Sequence, residues 1–201
     1  MSEEILINVT PVETRVALVE NGMLQEAYVE RTSRKGIVGN IFKGKVARVL
    51  PGMEAAFVDI GLERAAFIHA SDVLPVNGDD SGEPSDGPRT VPDIRTLLRE
   101  GQSLVVQVTK DPIGTKGARL TTQLSIPSRY LVFMPGVHHV GISQRIEDED
   151  ERNRLKTTLE TAIGEQDHCA GGFIIRTAAE GVSDADILAD MAYLQRLNQS
   201  I

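Results

Sequence analysis

Apolar and polar residues alternate through much of the first half of the chain with a period of two, the pattern of half-buried strands. The runs ILINVT, TRVALVENG and MLQEAYVER within residues 5–31 read as three strands, with Arg15, Ala17 and Val19 alternating against Val16, Leu18 and Glu20. Asn21-Gly22 between the second and third runs is a hairpin signal, because a type I′ turn needs two residues that tolerate positive φ. Three such strands cannot enclose a core, so they are expected to pair with something else. The polar run SRKGIVGN then reads as a linker.

From Ile41 to Gln123 the alternation resumes in IFKGKVARVL, EAAFVDIG, RAAFIHA, SLVVQVTKD and GARLTTQL, with one helical stretch at residues 93–101. Five short strands punctuated by Gly and Pro predict a small closed barrel of the OB type. Residues 76–92, rich in Gly, Pro, Asp and Ser, read as a mobile surface excursion.

After Pro127 the pattern becomes mixed. RYLVFMP and GGFIIRTA read as strands, with FIIRT the more buried. Residues 147–163 read as a helix, with Leu155, Leu159, Ala162 and Ile163 on one face. Its acidic start, Glu147 to Glu151, reads as a solvated first turn where the helix dipole favours anions. Ser183 and Asp186 resemble a capping box that opens a last helix with Ile187, Met191 and Leu194 as its apolar stripe. That helix is still running at Ile201. Together with the unpaired strands at the start, this is the pattern expected of a fragment. The fold class read from the pattern is α+β and β-rich.

Composition narrows the function. The chain has 201 residues, 41% hydrophobic and 25% charged, which fits one or two small domains and excludes wholesale disorder. No apolar run approaches the roughly 20 residues that span a bilayer, and no secretory signal pattern opens the sequence. The single cysteine, Cys169, excludes an internal disulfide framework, so a cytoplasmic location is expected. A net charge of −8 excludes a uniformly basic nucleic-acid glove but not a local basic face. Residues 40–125 carry 10 bases and 11 acids; outside residues 76–92 that block has 9 bases and 7 acids.

No GxSxG, HExxH, Walker-type or GxGxxG motif is present. His138-His139 would point to opposite faces of a strand, and His168-Cys169 offers one ligand pair at most. The spacing of Asp59 and Asp72 does not single them out as a metal pair. Phe57 and Phe67 fall on consecutive predicted strands, each within a run of small residues. They are either core side chains or an exposed platform on which unpaired bases stack. Lys43, Lys45 and Arg48 on the first barrel strand, and Lys116 and Arg119 around Gly117, can supply phosphate attraction. Arg176-Thr177 at a strand end combines a guanidinium fork with a hydroxyl, a pairing that suits a terminal phosphate and equally an ordinary surface ion pair.

Four blocks carry a resemblance: MEAAFVDIGLERAAFIHASD, DPIGTKGARLTTQLSIPSRYLVFMP, HVGISQRIE and GGFIIRTAAEGV. In that order they resemble the amino-terminal part of the bacterial ribonuclease E/G family, and the likeness runs from about Leu6 to the end. It implies that residues 1–37 start a ribonuclease-H-like subdomain and that residues 38–124 form an OB barrel of the ribosomal-protein-S-one type. Residues 125–195 would form an α+β 5′-sensor region, and 196–201 a truncated return helix.

The family's Mg²⁺-binding aspartates and its zinc-binding cysteines belong to later subdomains, so this piece is expected to lack a catalytic site. Carried over by position, the base-stacking aromatics are Phe57 and Phe67, and a basic RNA contact is Lys116. The 5′-phosphate pocket is Arg176 and Thr177 with backbone at Ser128 and an apolar wall at Val132; one branch of the family has glycine at the Ser128 position. The resemblance implies the RNA-binding, 5′-monophosphate-sensing region of a Mg²⁺-dependent, single-strand-specific endoribonuclease acting on ribosomal RNA precursors and messenger RNA. It leaves room for a homo-oligomer of the longer protein and no role at a membrane. The alternative is a free-standing, non-catalytic OB-fold RNA-binding module.

Overall fold

The computed structural model describes residues 2–74, 92–164 and 171–201. All but Pro92 of the 76–92 excursion, and the His168-Cys169 pair, lie outside the described residues. Internal packing divides the chain into two units, Met1–Ile37 and Val38–Ile201.

The first unit is an antiparallel meander of β1 (Glu3–Val9), β2 (Glu13–Glu20) and β3 (Met23–Arg31). Asn21 and Gly22 join β2 to β3 with φ of 50° and 77°, as a type I′ turn requires. None of the three strands contains a fully buried residue, and Ile5, Ile7, Leu24 and Val29 are exposed.

The second unit begins with the barrel. Strands β4 (Ile41–Leu50), β5 (Ala55–Asp59), β6 (Ala66–His69), β7 (Ser103–Lys110) and β8 (Arg119–Thr121) close in the order β4-β5-β6-β8-β7, the OB arrangement. Val46, Val58, Ile68, Val106 and Leu120 fill the interior. Gly44 is needed there, since a Cβ at that position would lie 2.6 Å from Val58 Cγ1. The helical stretch expected at residues 93–101 shrinks to one turn, α1 (Ile94–Leu97). Asp93 caps it by accepting from the Arg95 amide at 2.8 Å, and Leu98 then turns extended so that it is buried along with Ile94.

Buried Gln107 fastens the barrel to the neighbouring sheet: its amide donates to the carbonyls of Gly39 (3.0 Å) and Ser125 (2.9 Å) and accepts from the Ser125 amide (2.8 Å). That sheet is mixed, built from β9 (Ile126–Pro127), β10 (Leu131–Pro135), β11 (Val140–Ile142) and β12 (Gly171–Ile175) in the order β11-β12-β10-β9. β9 and β11 are too short to show a period, so the residue pattern does not announce them. Helices α2 (Glu149–Gly164) and α3 (Asp184–Gln199) share one core with this sheet. Leu155 and Leu159 of α2 and Ile187, Met191 and Leu194 of α3 join Leu131, Phe133, Phe173 and Ile175. Phe133 and Phe173 are register partners, with ring centroids 5.0 Å apart. α3 runs unbroken through residues 195 and 196, with Leu197 packed on the same core, so the expected division there falls inside one helix. No helix among the described residues is long and apolar enough to cross a membrane.

The acidic start of α2 is more than a solvated turn. Asp148 caps the helix, accepting from the amides of Asp150 (2.9 Å) and Glu151 (3.2 Å), so it begins at residue 149 rather than 147. Glu151 takes both nitrogens of the Arg154 fork, at 2.8 and 2.7 Å, and the Gly181 amide at 2.9 Å. Arg154 also pairs with Asp184 at the start of α3. The Arg154 hydrogen bonds, then the Gly181 amide, hold the Glu151 carboxyl at about 2, below its ordinary 4.5. A lowered folded value adds stability that is complete above the unfolded value and lost as pH falls toward 2. Glu151→Gln is therefore expected to destabilise the chain by about 1–3 kcal/mol at neutral pH. In urea titrations its deficit against the parent should shrink as pH falls from 5 to 2; a deficit independent of pH would refute the ion pair.

Candidate functional site

Barrel alternation decides the alternative left open for the two phenylalanines. Their neighbours Ala56, Val58, Ala66 and Ile68 point inward and are fully buried, so Phe57 and Phe67 stand on the outer wall, Phe57 being 37% exposed. They are register partners across β5 and β6, with ring centroids 6.2 Å apart and planes at 68°. This edge-on pair leaves aromatic faces open to a further ring.

The pair belongs to a longer row. A bulge between Val46 and Arg48 resets the alternation of β4, so Arg48 stands opposite Phe57. Phe67 is opposite Arg119 on β8, and a second bulge, in β7, puts Lys110 opposite Arg119. One register row thus crosses all five strands as Arg48, Phe57, Phe67, Arg119 and Lys110. At about 4.8 Å per strand the row is about 19 Å long. Lys43 and Lys45 also face outward on β4, but opposite Val105 and Asp59, away from the rings.

The rings floor a trough bordered by Met53 and Ile113 and by Arg64, Lys110, Lys116 and Arg119; Asp111 lines it too. Its loop is built rather than draped. Ile113 and Lys116 exchange backbone hydrogen bonds of 3.2 and 3.0 Å, closing a tight turn whose Gly114 carbonyl accepts from Arg64. Gly117 passes so close to the Ala65 carbonyl that a Cβ would collide with it. Arg119 donates from Nε (3.0 Å) and Nη2 (2.8 Å) to one oxygen of Asp72. Lys116 and Arg119 were expected here; Arg64, Lys110, Met53 and Ile113 were not, because their positions depend on bulges and a turn that leave no periodic trace.

A second concavity lies at the end of β12. Leu131, Phe133, Phe173 and Ile175 face the core, so the alternate residues Val132 and Ile174, register partners, share the opposite face. Arg176 and Thr177 come directly after the strand end and line this hollow with Ser143, Arg145 and Ile174. The Arg176 amide donates to the Tyr130 carbonyl (2.8 Å), and its guanidinium donates to the Ser128 carbonyl. Thr177 and Ser143 share a hydroxyl hydrogen bond of 3.0 Å. Ser128 therefore stands beside Arg176, and Val132 lies on the same sheet face as the pocket wall.

Asp190 of α3 organises the turn that carries Ser128. One of its carboxylate oxygens accepts from Ser128 Oγ (2.5 Å) and from the amides of Tyr130 (3.0 Å) and Leu131 (3.1 Å). It lies some sixty residues along the chain from its partners, so no local motif points to it. No group of three or more His, Cys, Asp or Glu residues able to hold a metal occurs among the described residues.

Two family models match the chain: S1 RNA binding domain over residues 35–120, and Ribonuclease E/G family over residues 125–201. The fold and these matches define a protein that couples an S1-type barrel to an α+β ribonuclease segment. Ribonuclease G of Escherichia coli strain K12 is 61% identical over 197 residues, 98% of this chain and 39% of that protein. Ribonuclease G of Haemophilus influenzae is 57% identical over 194 residues, 96% of this chain and 38% of that protein. Ribonuclease E of Escherichia coli strain K12 is 37% identical over 198 residues, 95% of this chain and 17% of that protein. The chain belongs to the ribonuclease E/G family and spans about two fifths of the length of these ribonuclease G relatives.

Removing the Asp190 carboxylate strands two backbone amides. Asp190→Ala is expected to cost about 1–3 kcal/mol of unfolding free energy, and Asp190→Asn, which keeps an acceptor, less. Equal losses in chemical denaturation would mean that the carboxylate is not the organising group.

Proposed function

We propose that this chain is the RNA-binding and 5′-end-reading region of a single-strand-specific endoribonuclease that matures ribosomal RNA precursors and degrades messenger RNA. The observation that carries this reading is the five-strand row with two edge-on phenylalanines between basic side chains. Bases stack on the open aromatic faces while Arg48, Lys110, Lys116 and Arg119 attract the phosphates. Stacking of this kind contributes about 1–3 kcal/mol per base and tolerates any sequence. A duplex hides its base faces, so the platform favours single strands.

The hollow at the end of β12 reads the terminus. A 5′ monophosphate offers oxygens to the Arg176 fork and the Thr177 hydroxyl, and a 5′ hydroxyl offers none of that charge. Val132 and Ile174 form an apolar wall beside it. Mg²⁺-dependent hydrolysis is assigned to the portion of the longer relatives that this chain does not span, so the chain alone binds RNA without cutting it. The working location in this reading is the cytoplasm.

Phe57→Ala and Phe67→Ala are each expected to weaken binding of a single-stranded oligoribonucleotide by about 1–3 kcal/mol, with thermal unfolding little changed. Affinity should also fall steeply as salt rises. Variants that bind like the parent but melt earlier would overturn the platform. For the terminus, Arg176→Lys should lose most of the preference for a 5′-phosphorylated over a 5′-hydroxyl oligonucleotide, since a point charge cannot reproduce the fork. An unchanged preference, measured by fluorescence anisotropy, would place end recognition elsewhere.

A further inference from the structure

Strand β12 ends between two anchored flanks. On the β10 side the Tyr130 and Ser128 carbonyls hold Arg176. On the β11 side the Ser143 amide donates to the Ile175 carbonyl at 2.9 Å. Beyond Ser143 the chain makes a turn fixed at three points. The Arg145 amide donates to Ser143 Oγ (3.3 Å), Arg152 of α2 donates to the carbonyls of Ser143 and Ile146 (2.9 Å each), and Ile146 is buried. The backbone under Arg145 is therefore held firmly while its side chain stays exposed and lines the same hollow as Arg176 and Thr177.

The arginines of this unit differ in their partners. Arg119 is held by Asp72 and Arg154 by Glu151 and Asp184, whereas Arg145 makes no ion pair among the described residues. None of the residues lining the hollow is acidic, so two guanidinium groups border one concavity without a compensating carboxylate. That concavity is about 510 Å³. The five heavy atoms of a phosphate group occupy roughly 150 Å³ at about 30 Å³ per water-sized atom, so there is room for more than the terminal group.

We propose that Arg145 is a second phosphate-binding arginine of this site, and that the ligand is a 5′-phosphorylated oligonucleotide gripped through two consecutive phosphates. The terminal monoester lies with Arg176 and Thr177, and Arg145 takes the first phosphodiester. This rests on the 5′-end reading above and gives the two arginines separable roles. Arg176 discriminates between 5′ ends. Arg145 adds affinity that both kinds of end share, because a phosphodiester comes after the first nucleoside in either case.

The test uses the 201-residue chain with two short single-stranded oligoribonucleotides of one sequence, one 5′-phosphorylated and one 5′-hydroxyl, titrated at several salt concentrations. Arg145→Gln should weaken both by about five- to tenfold, leave their ratio unchanged and lower the salt slope by about one ion. Arg145→Lys should restore much of the loss, which marks the role as charge. Thermal unfolding should be unaffected, since the side chain has no ion-pair partner among the described residues to lose. If Arg145→Gln binds both oligonucleotides as the parent does while Arg176→Gln abolishes the 5′-phosphate preference, the Arg145 assignment is wrong and the end-reading stands. If the parent shows no 5′-phosphate preference, the end-reading fails and the two-phosphate grip fails with it. A collapse of the ratio in Arg145→Gln would also overturn the proposal, because it would place the terminal phosphate on Arg145.

Discussion

Closing a sheet into a barrel commits every second side chain to the interior, and both candidate surfaces of this chain derive from strand parity of that kind. Once Val58 and Ile68 are inside, Phe57 and Phe67 have no choice but the outer wall. The interior is filled without them by aliphatic side chains, and Gly44 leaves the space that Val58 needs. The same rule operates in the mixed sheet. Phe173 and Ile175 go beneath the helices, so Ile174 faces the other way and Arg176 leaves the strand end pinned at its amide. A one-residue slip would bury the charged groups and expose the core, so each surface is as well specified as the hydrophobic packing behind it.

Electrostatics refine what parity places. The chain carries a net charge of −8, so its long-range field does not draw a polyanion. Any attraction acts within about a Debye length, roughly 8–10 Å, of the basic row and the β12 hollow. Several acids serve as organisers of cations and backbone instead of as ligands. Asp72 orients Arg119, Glu151 joins Arg154 to the Gly181 turn, and Asp190 gathers the Ser128 turn. An arginine held by a carboxylate keeps its direction at the expense of some attraction, whereas Arg145, with no ion pair among the described residues, keeps more conformational freedom.

How much of this was legible in the residues depends on whether it is local. The period-two runs located the meander and the five barrel strands, and Asn21-Gly22 identified its turn, because pleat and turn chemistry act over a few residues. The outward phenylalanines were visible as candidates, but parity alone could not choose between wall and core, since the choice depends on barrel closure. Arg48 opposite Phe57 and Lys110 opposite Arg119 each depend on a bulge, which breaks the period that sequence reading relies on. The one-turn α1 differs from the longer helix expected because burying Leu98 outweighs the helix propensity of about one further turn. Asp190 and the Ser143–Arg145 turn belong to tertiary contacts between distant segments, which no periodicity encodes. Only the likeness of whole blocks to the ribonuclease E/G family pointed to Ser128 and Val132, whose terminus-reading roles are part of the proposal.

The two surfaces lie in one packed unit, and the connection between them along the chain is short. Gln107 of the barrel holds Ser125 by a donated and an accepted hydrogen bond, β9 begins at the next residue, and β9 pairs with β10, whose Leu131 and Val132 are register partners of Ile175 and Ile174 on β12. For two modest sites joined this way, engagement of one by a strand turns engagement of the other into an intramolecular step, and the gain depends on the strand spanning the distance between them. In the proposed reading, the 5′ phosphate then matters most on RNAs whose first unpaired nucleotides can reach from hollow to platform. In that reading the barrel supplies sequence-tolerant grip and the hollow supplies end discrimination, while the buried amide of Gln107 ties together the segments that carry them.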